Sequence, residues 1–249
     1  MGRSRVSGEE IMTKMRLYCV PYAGGSASIY NKWKKGLSES IVLNPVELAG
    51  RGLKFSKPLY ESIQQSVDDV FDYISSDLPD EEPYALFGHS LGSLIIYELY
   101  NKMHEEQFRK PIHMFFSGRE TPDYKKEQVY YHLPEGQFID RIKEMGGTPD
   151  EFFENQQLMD MFIPILRKDL EMNETYTYEE KPYKLQCDIT ILNGAEDEGY
   201  ILDCAERWRG YTEQGSAARI YKGGHFYLFE GSMHRVTSMI NQTLTSYME

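Results

Sequence analysis

Tyr84-Ala85-Leu86-Phe87-Gly88-His89-Ser90-Leu91-Gly92-Ser93-Leu94-Ile95 decides how this chain folds. Its first four residues are apolar and stop at a glycine, the pattern of a short buried strand. From Leu91 to Met103, apolar residues recur at 91, 94, 95, 99 and 103, the stripe of a helix packed on a sheet. Between them Gly88-His89-Ser90-Leu91-Gly92 is Gly-x-Ser-x-Gly, a nucleophile elbow in its strand–turn–helix setting. The spacing has a steric reason. The serine occupies a strained turn with its hydroxyl exposed, and the flanking glycines let strand and helix approach closely. The helix N-terminus favours negative charge developing nearby. The competing reading is an ordinary turn serine.

Outward from this segment, short apolar runs alternate with helical patterns. Arg16-Leu17-Tyr18-Cys19-Val20 ends at Pro21; Ile41-Val42-Leu43 with Val46 ends before Gly50-Arg51-Gly52. Ile112–Phe116, Ile189–Leu192 and Ala218–Tyr221 complete a set of six with Tyr84–Phe87. Each is short, continuous and bounded by Gly or Pro, as expected of strands buried on both faces of a parallel sheet. Ser62–Ile74 and Met233–Met248 read as helices beside Leu91–Met103. Such alternation predicts a doubly wound α/β domain over residues 15–249. Residues 1–14 are small, polar and unpatterned, and read as a disordered lead-in or an expression scar. From about Tyr130 to Tyr178 the alternation lapses into helical pieces: Glu135–Met145, Pro149–Glu154 and Gln157–Asp169, interrupted by Gly146-Gly147-Thr148-Pro149 and by Pro164. This stretch is expected to be a helical insertion over the C-terminal strand ends.

Composition narrows the function. With 27 Lys and Arg against 39 Asp and Glu, the net charge of −12 repels a phosphate backbone and argues against a nucleic-acid role. The three cysteines, Cys19, Cys187 and Cys204, form no Cys-x-x-Cys and no disulfide framework, which fits a reducing cytoplasm. No apolar run approaches the ~18 residues of a membrane span.

A serine nucleophile needs a base, and the base an orienting carboxylate, in the chain order Ser, acid, His. Downstream histidines stand at 104, 113, 132, 225 and 234. Only His225 follows a late strand through a Gly223-Gly224 turn, where the geometry demands the base. His89 neighbours the nucleophile, but its side chain is expected to point into the packing. The acid lies in Asn193-Gly194-Ala195-Glu196-Asp197-Glu198, and spacing does not choose among Glu196, Asp197 and Glu198. An oxyanion hole takes one backbone N–H from Leu91, after the nucleophile, and another from the loop Pro21-Tyr22-Ala23-Gly24-Gly25. Gly-x-Gly-x-x-Gly is absent, so a hydrolase is favoured over a dinucleotide-binding protein.

At this point the residues meet a known family. The chain resembles the type II thioesterases, stand-alone α/β-hydrolases that serve nonribosomal peptide and polyketide synthases. The resemblance rests on Pro21–Ala27, Gly50-Arg51-Gly52, Gly88–Gly92, Ser117-Gly118-Arg119 with Pro122, and Leu133-Pro134. It continues through Gly146–Pro149, Pro164–Asp169, Gly194 with Asp197, and Gly223-Gly224-His225-Phe226. Ala49 departs from it, since the family often has Pro before Gly-Arg-Gly. The resemblance implies an α/β-hydrolase fold with a lid insertion, Asp197 as the triad acid and Ala23 as the early oxyanion donor. It implies an acyl thioester substrate on the phosphopantetheine arm of an acyl or peptidyl carrier protein, and no cofactor of the enzyme's own. Met145, Met159, Met161 and Phe162 would line an adaptable acyl pocket or pack the lid onto the domain. Lys32, Lys34 and Lys35, or Lys125 and Lys126, are candidates to dock an acidic carrier. Rival readings are a product-releasing thioesterase, a small-ester esterase, and a catalytically silent carrier-binding scaffold; a scaffold has no need of Ser90, Asp197 and His225 together.

Overall fold

The computed structural model describes residues 14–125, 128–148, 150–197, 203–229 and 231–248. Six strands form one sheet: β1 (Met15–Val20), β2 (Ile41–Pro45), β3 (Tyr84–His89), β4 (His113–Ser117), β5 (Asp188–Gly194) and β6 (Ser216–Tyr221). All neighbouring pairs are parallel, in the order β2-β1-β3-β4-β5-β6. The winding reverses at β1, which lies between β2 and β3. The crevice at the C-terminal ends of β1 and β3 is therefore the topological switch point, where open α/β sheets bind ligands.

Strand period explains the continuous apolar runs. Tyr18, Val20, Tyr84, Leu86, Met114, Phe116, Ile189 and Ile191 face one core. Leu17, Cys19, Ala85, Phe87, Phe115 and Leu192 face the other. Alternate side chains thus fill opposite layers, and both must be covered by helices. On the first face lie α1 (Ile63–Asp77), α2 (Leu91–Glu105) and α6 (Cys204–Arg209). On the second lie the 3-10 helix Ala27–Lys35 and α7 (Met233–Thr245). Ser62 caps α1 by accepting the Gln65 N–H at 3.3 Å. The expectation of strands buried on both faces fails at β6: Ser216 and Arg219 are exposed, and Ile220 is 57% exposed. An edge strand with little helix cover needs no apolar second face.

The insertion comprises α3 (Glu135–Met145), α4 (Asp150–Phe153) and α5 (Gln156–Thr175). Its own core is Phe138, Ile142, Met159, Ile163, Leu166 and Leu170. Pro164 does not interrupt α5 as the sequence suggests; the helix continues through it. Pro164 and Asp160 are both exposed, on the solvent side of α5, where a lost backbone bond costs least. Burying Ile163, Leu166 and Leu170 stabilises the helix by roughly 1.5–3 kcal/mol each, which outweighs the ~3 kcal/mol cost of an internal proline. Ala49, where the related pattern has Pro, donates its N–H to Tyr60 Oη at 3.0 Å, a bond that proline lacks. Among the described residues no helix is long and apolar enough to cross a membrane.

Candidate active site

β3 delivers Ser90 to the switch point in a strained backbone, with φ +54° and ψ −113°. A left-handed non-glycine residue costs about 1–3 kcal/mol and persists only where its surroundings over-determine it. Here they do. The Ser90 N–H donates to the Ser117 carbonyl at 2.8 Å, and Ser93 Oγ donates to the carbonyls of Gly88 (2.8 Å) and Ser117 (3.0 Å). The flanking glycines are steric necessities. A Cβ on Gly88 would lie 2.3 Å from the Gly92 carbonyl oxygen, and one on Gly92 would lie 2.2 Å from the Val20 oxygen. Ser90 stands at the N-cap of α2, yet its side chain makes no capping bond. Leu91, the first residue of α2, is fully buried, and its N–H belongs to the first turn, where helices have no internal acceptor.

The loops after β5 and β6 lean on one another. Ala195 N–H donates to the Tyr221 carbonyl at 2.7 Å and Glu196 N–H to the Gly223 carbonyl at 3.0 Å. A Cβ on Gly194 would sit 2.2 Å from the Gly224 oxygen. This contact brings Asp197 Oδ2 to 2.7 Å from His225 Nδ1, with side-chain exposures of 8% and 26%. Glu196 is exposed, and Glu198 lies outside the described residues. The His225 ring lies over the end of β4, its Cε1 3.2 Å from where a Gly118 Cβ would be, and 4.9 Å centroid to centroid from His89.

His89 is fully buried and hydrogen bonds through Nδ1 to Ser117 Oγ at 2.9 Å, which also contacts Tyr227 Oη at 2.7 Å. Burial, and then the neighbouring His225, hold its pKa well below the ordinary imidazole value, so the ring is neutral at neutral pH. It backs His225 rather than facing solvent. Sequence reading missed this His89–Ser117–Tyr227 chain, because nothing in local spacing links three residues from β3, β4 and the loop after β6.

Ala23 is partly buried and packs against the insertion's core. In its turn the Gly25 N–H donates to the Tyr22 carbonyl at 2.9 Å and the Gly24 N–H to Asp169 at 2.7 Å. Ala23 N–H has no partner among the described residues. Phe162 reaches Gly24, where a Cβ would lie 2.8 Å from its ring, and packs on Phe152 at 4.8 Å. Met145 is 38% and Met161 51% exposed, Met159 is buried in the insertion's core, and Phe162 packs on Gly24 of the oxyanion loop. Gly147 touches the Phe226 ring, which stacks edge-on to Tyr22 at 4.9 Å. Aromatic side chains from two loops, with Gly147 of a third against them, thus gather beside His225, whose ring lies 5.2 Å from that of Phe226. Lys32, Lys34, Lys35 and Lys125 are exposed; Lys126 lies outside the described residues. A cavity of about 340 Å³ lined by Tyr97, Asn101, Tyr178 and Tyr211 contains none of these groups. No cluster of metal-ligating side chains occurs among the described residues.

A parallel sheet that presents a strained serine after β3 and a hydrogen-bonded Asp–His pair after β5 and β6 defines an α/β hydrolase fold. The thioesterase domain model matches residues 15–244. The chain belongs to that thioesterase family. It is 32% identical to the gramicidin S biosynthesis protein GrsT of Aneurinibacillus migulanus, over 92% of this chain and 89% of that one. It is 34% identical to the medium-chain S-acyl fatty acid synthase thioesterase of Anas platyrhynchos, over 87% and 86%. Among solved structures, ClbQ from the colibactin NRPS/PKS pathway is 34% identical, with a TM-score of 0.88 over 94% of this chain and 98% of that one.

Proposed function

We propose that this thioesterase hydrolyses acyl thioesters from the phosphopantetheine arms of carrier proteins in a nonribosomal peptide or polyketide synthase, in the cytoplasm. The observation that carries the reading is the 2.7 Å bond between His225 and Asp197 over the same sheet end as the Ser90 elbow. Family membership supplies the bond to be cleaved, and relatives such as GrsT and ClbQ suggest the setting. Three buried free thiols suit a reducing compartment.

In this mechanism Asp197 holds His225 with Nδ1 protonated, leaving Nε2 as the base. Nε2 takes the Ser90 hydroxyl proton as Oγ attacks the thioester carbonyl carbon. The N–H groups of Ala23 and Leu91 stabilise the tetrahedral oxyanion. The C–S bond breaks, His225 returns the proton to the pantetheine sulfur, and an acyl-serine remains. Water, deprotonated by His225, then releases the carboxylic acid and restores Ser90. The phosphopantetheine arrives with the substrate, and the protein needs no cofactor of its own.

The test is Ser90→Ala assayed on an acyl-carrier protein. The variant should fold, with hydrolysis lowered by roughly four to six orders of magnitude. Near-normal turnover by the purified variant would sink the assignment. The likeness to the duck enzyme supports a second reading, release of medium-chain fatty acyl groups. A preference for such chains over short acyl groups on the same carrier would favour it.

A further inference from the structure

Gly50-Arg51-Gly52 and Pro164–Asp169 take no part in the chemistry above, yet the fold joins them in one buried ion pair. Arg51 donates from Nη1 to Asp169 Oδ2 at 2.6 Å and from Nη2 to Oδ1 at 2.9 Å; the side chains are 6% and 2% exposed. Arg51 also donates to two backbone carbonyls, Ala49 at 3.1 Å and Gly25 at 3.2 Å. Asp169 Oδ2 in turn accepts the Gly24 N–H at 2.7 Å. Two side chains thus hold the peptide groups on either side of the Gly24–Gly25 turn.

The same face of α5 closes on Gly24 by packing. Gly24 has φ +78°, and a Cβ there would meet Phe162 at 2.8 Å and Leu166 at 3.2 Å. Phe162, Leu166 and Asp169 stand at i, i+4 and i+7, one stripe of α5. Asn173, one turn further on, accepts from Arg119 Nη1 at 2.6 Å and ties the stripe to the loop after β4.

Peptide geometry carries this to the reaction. Ala23 N–H and the Tyr22 carbonyl belong to one trans peptide, so they point in opposite directions. The Tyr22 carbonyl is turned toward Gly25 N–H, at 2.9 Å, which directs Ala23 N–H the other way. Gly25 is held by Arg51 through its carbonyl, and Gly24 by Asp169 through its N–H. A buried ion pair contributes little net stability, because desolvation offsets the attraction. Its worth here lies in the backbone groups it fixes.

We propose that Asp169, braced by Arg51, is a positioning residue that sets the Ala23 N–H of the oxyanion hole, so that α5 and the hole form one unit. This rests on the reading of Ser90 and Ala23 given above. The test compares Asp169→Asn and the double variant Arg51→Met/Asp169→Leu with the unaltered protein. Three quantities are measured: thermal stability, kcat and KM on an acyl-pantetheine thioester, and affinity for a trifluoromethyl ketone analogue whose hemiketal oxyanion occupies the hole. Asp169→Asn should lower kcat about 10- to 1,000-fold, leave KM within about threefold, and weaken the ketone by a similar factor to kcat. The apolar pair leaves no uncompensated charge, so it should regain stability without regaining rate. Rate that recovers together with stability would mean a merely structural pair and overturn the proposal. So would unchanged kcat and ketone affinity in folded Asp169→Asn. Fluorophosphonate labelling of Ser90 in the unaltered protein separates the two readings. Failure to label or hydrolyse there counts against the hydrolase reading. Normal labelling and hydrolysis with indifferent variants counts against the positioning role alone.

Discussion

Asp197 and Glu196 are neighbours in sequence and opposites in environment. The backbone bond from Glu196 N–H to the Gly223 carbonyl fixes the loop so that Asp197 meets His225 while Glu196 faces water. One residue along a loop turns a side chain by a large angle, so a neighbouring carboxylate has no access without a backbone shift. Asp197→Asn should therefore lower kcat by about three to four orders of magnitude, by holding His225 in the wrong tautomer. Glu196→Gln should stay within about twofold. Steady-state rates of the two purified variants decide the matter, and a larger loss in Glu196→Gln would misplace the acid.

At the scale of elements, the elbow and the oxyanion loop depend on how closely α2 approaches β1. A Cβ on Gly92 would meet the Val20 oxygen at 2.2 Å and the Pro21 oxygen at 2.8 Å, both backbone atoms, so no flexible side chain can yield. Gly92→Ala should cost about 3 kcal/mol or more, through displacement of the β1 end. Urea denaturation measures this, and a variant as stable as the parent would contradict the contact. Local pattern was a good guide to such elements where one stripe dominates, as in α2. It failed at Pro164, because tertiary burial of α5 outweighs a local breaker.

The molecule as a whole carries a buried titratable joint. His113 bonds Thr190 Oγ1 through Nε2 at 2.9 Å and Tyr247 Oη through Nδ1 at 3.1 Å, linking β4, β5 and the segment after α7. Burial holds its pKa down to about 4, from an ordinary value of 6.5. The unfolded chain therefore binds this proton more readily than the folded one. Its contribution is complete above about pH 6.5 and is lost as pH falls toward 4, a decline of up to roughly 3 kcal/mol. His89 shifts in the same direction. His113→Gln should flatten the dependence of unfolding free energy on pH across that window; an unchanged slope would refute the account.

The residues alone determined the six strands, the elbow at Ser90, the late histidine and the insertion, because each is written in local chemistry. Strand period, glycine at points of close approach and turn residues act over a few positions. Spacing left three carboxylates open, and only the resemblance singled out Asp197. The tertiary structure decided which carboxylate touches His225, because two loops 28 residues apart must first lean together. It alone joined Arg51 to Asp169 across 118 residues and turned Ala23 N–H away from its own turn. Those contacts depend on where the sheet order places loop ends in space, and sheet order is set by the burial of whole faces rather than by any local stretch of chain.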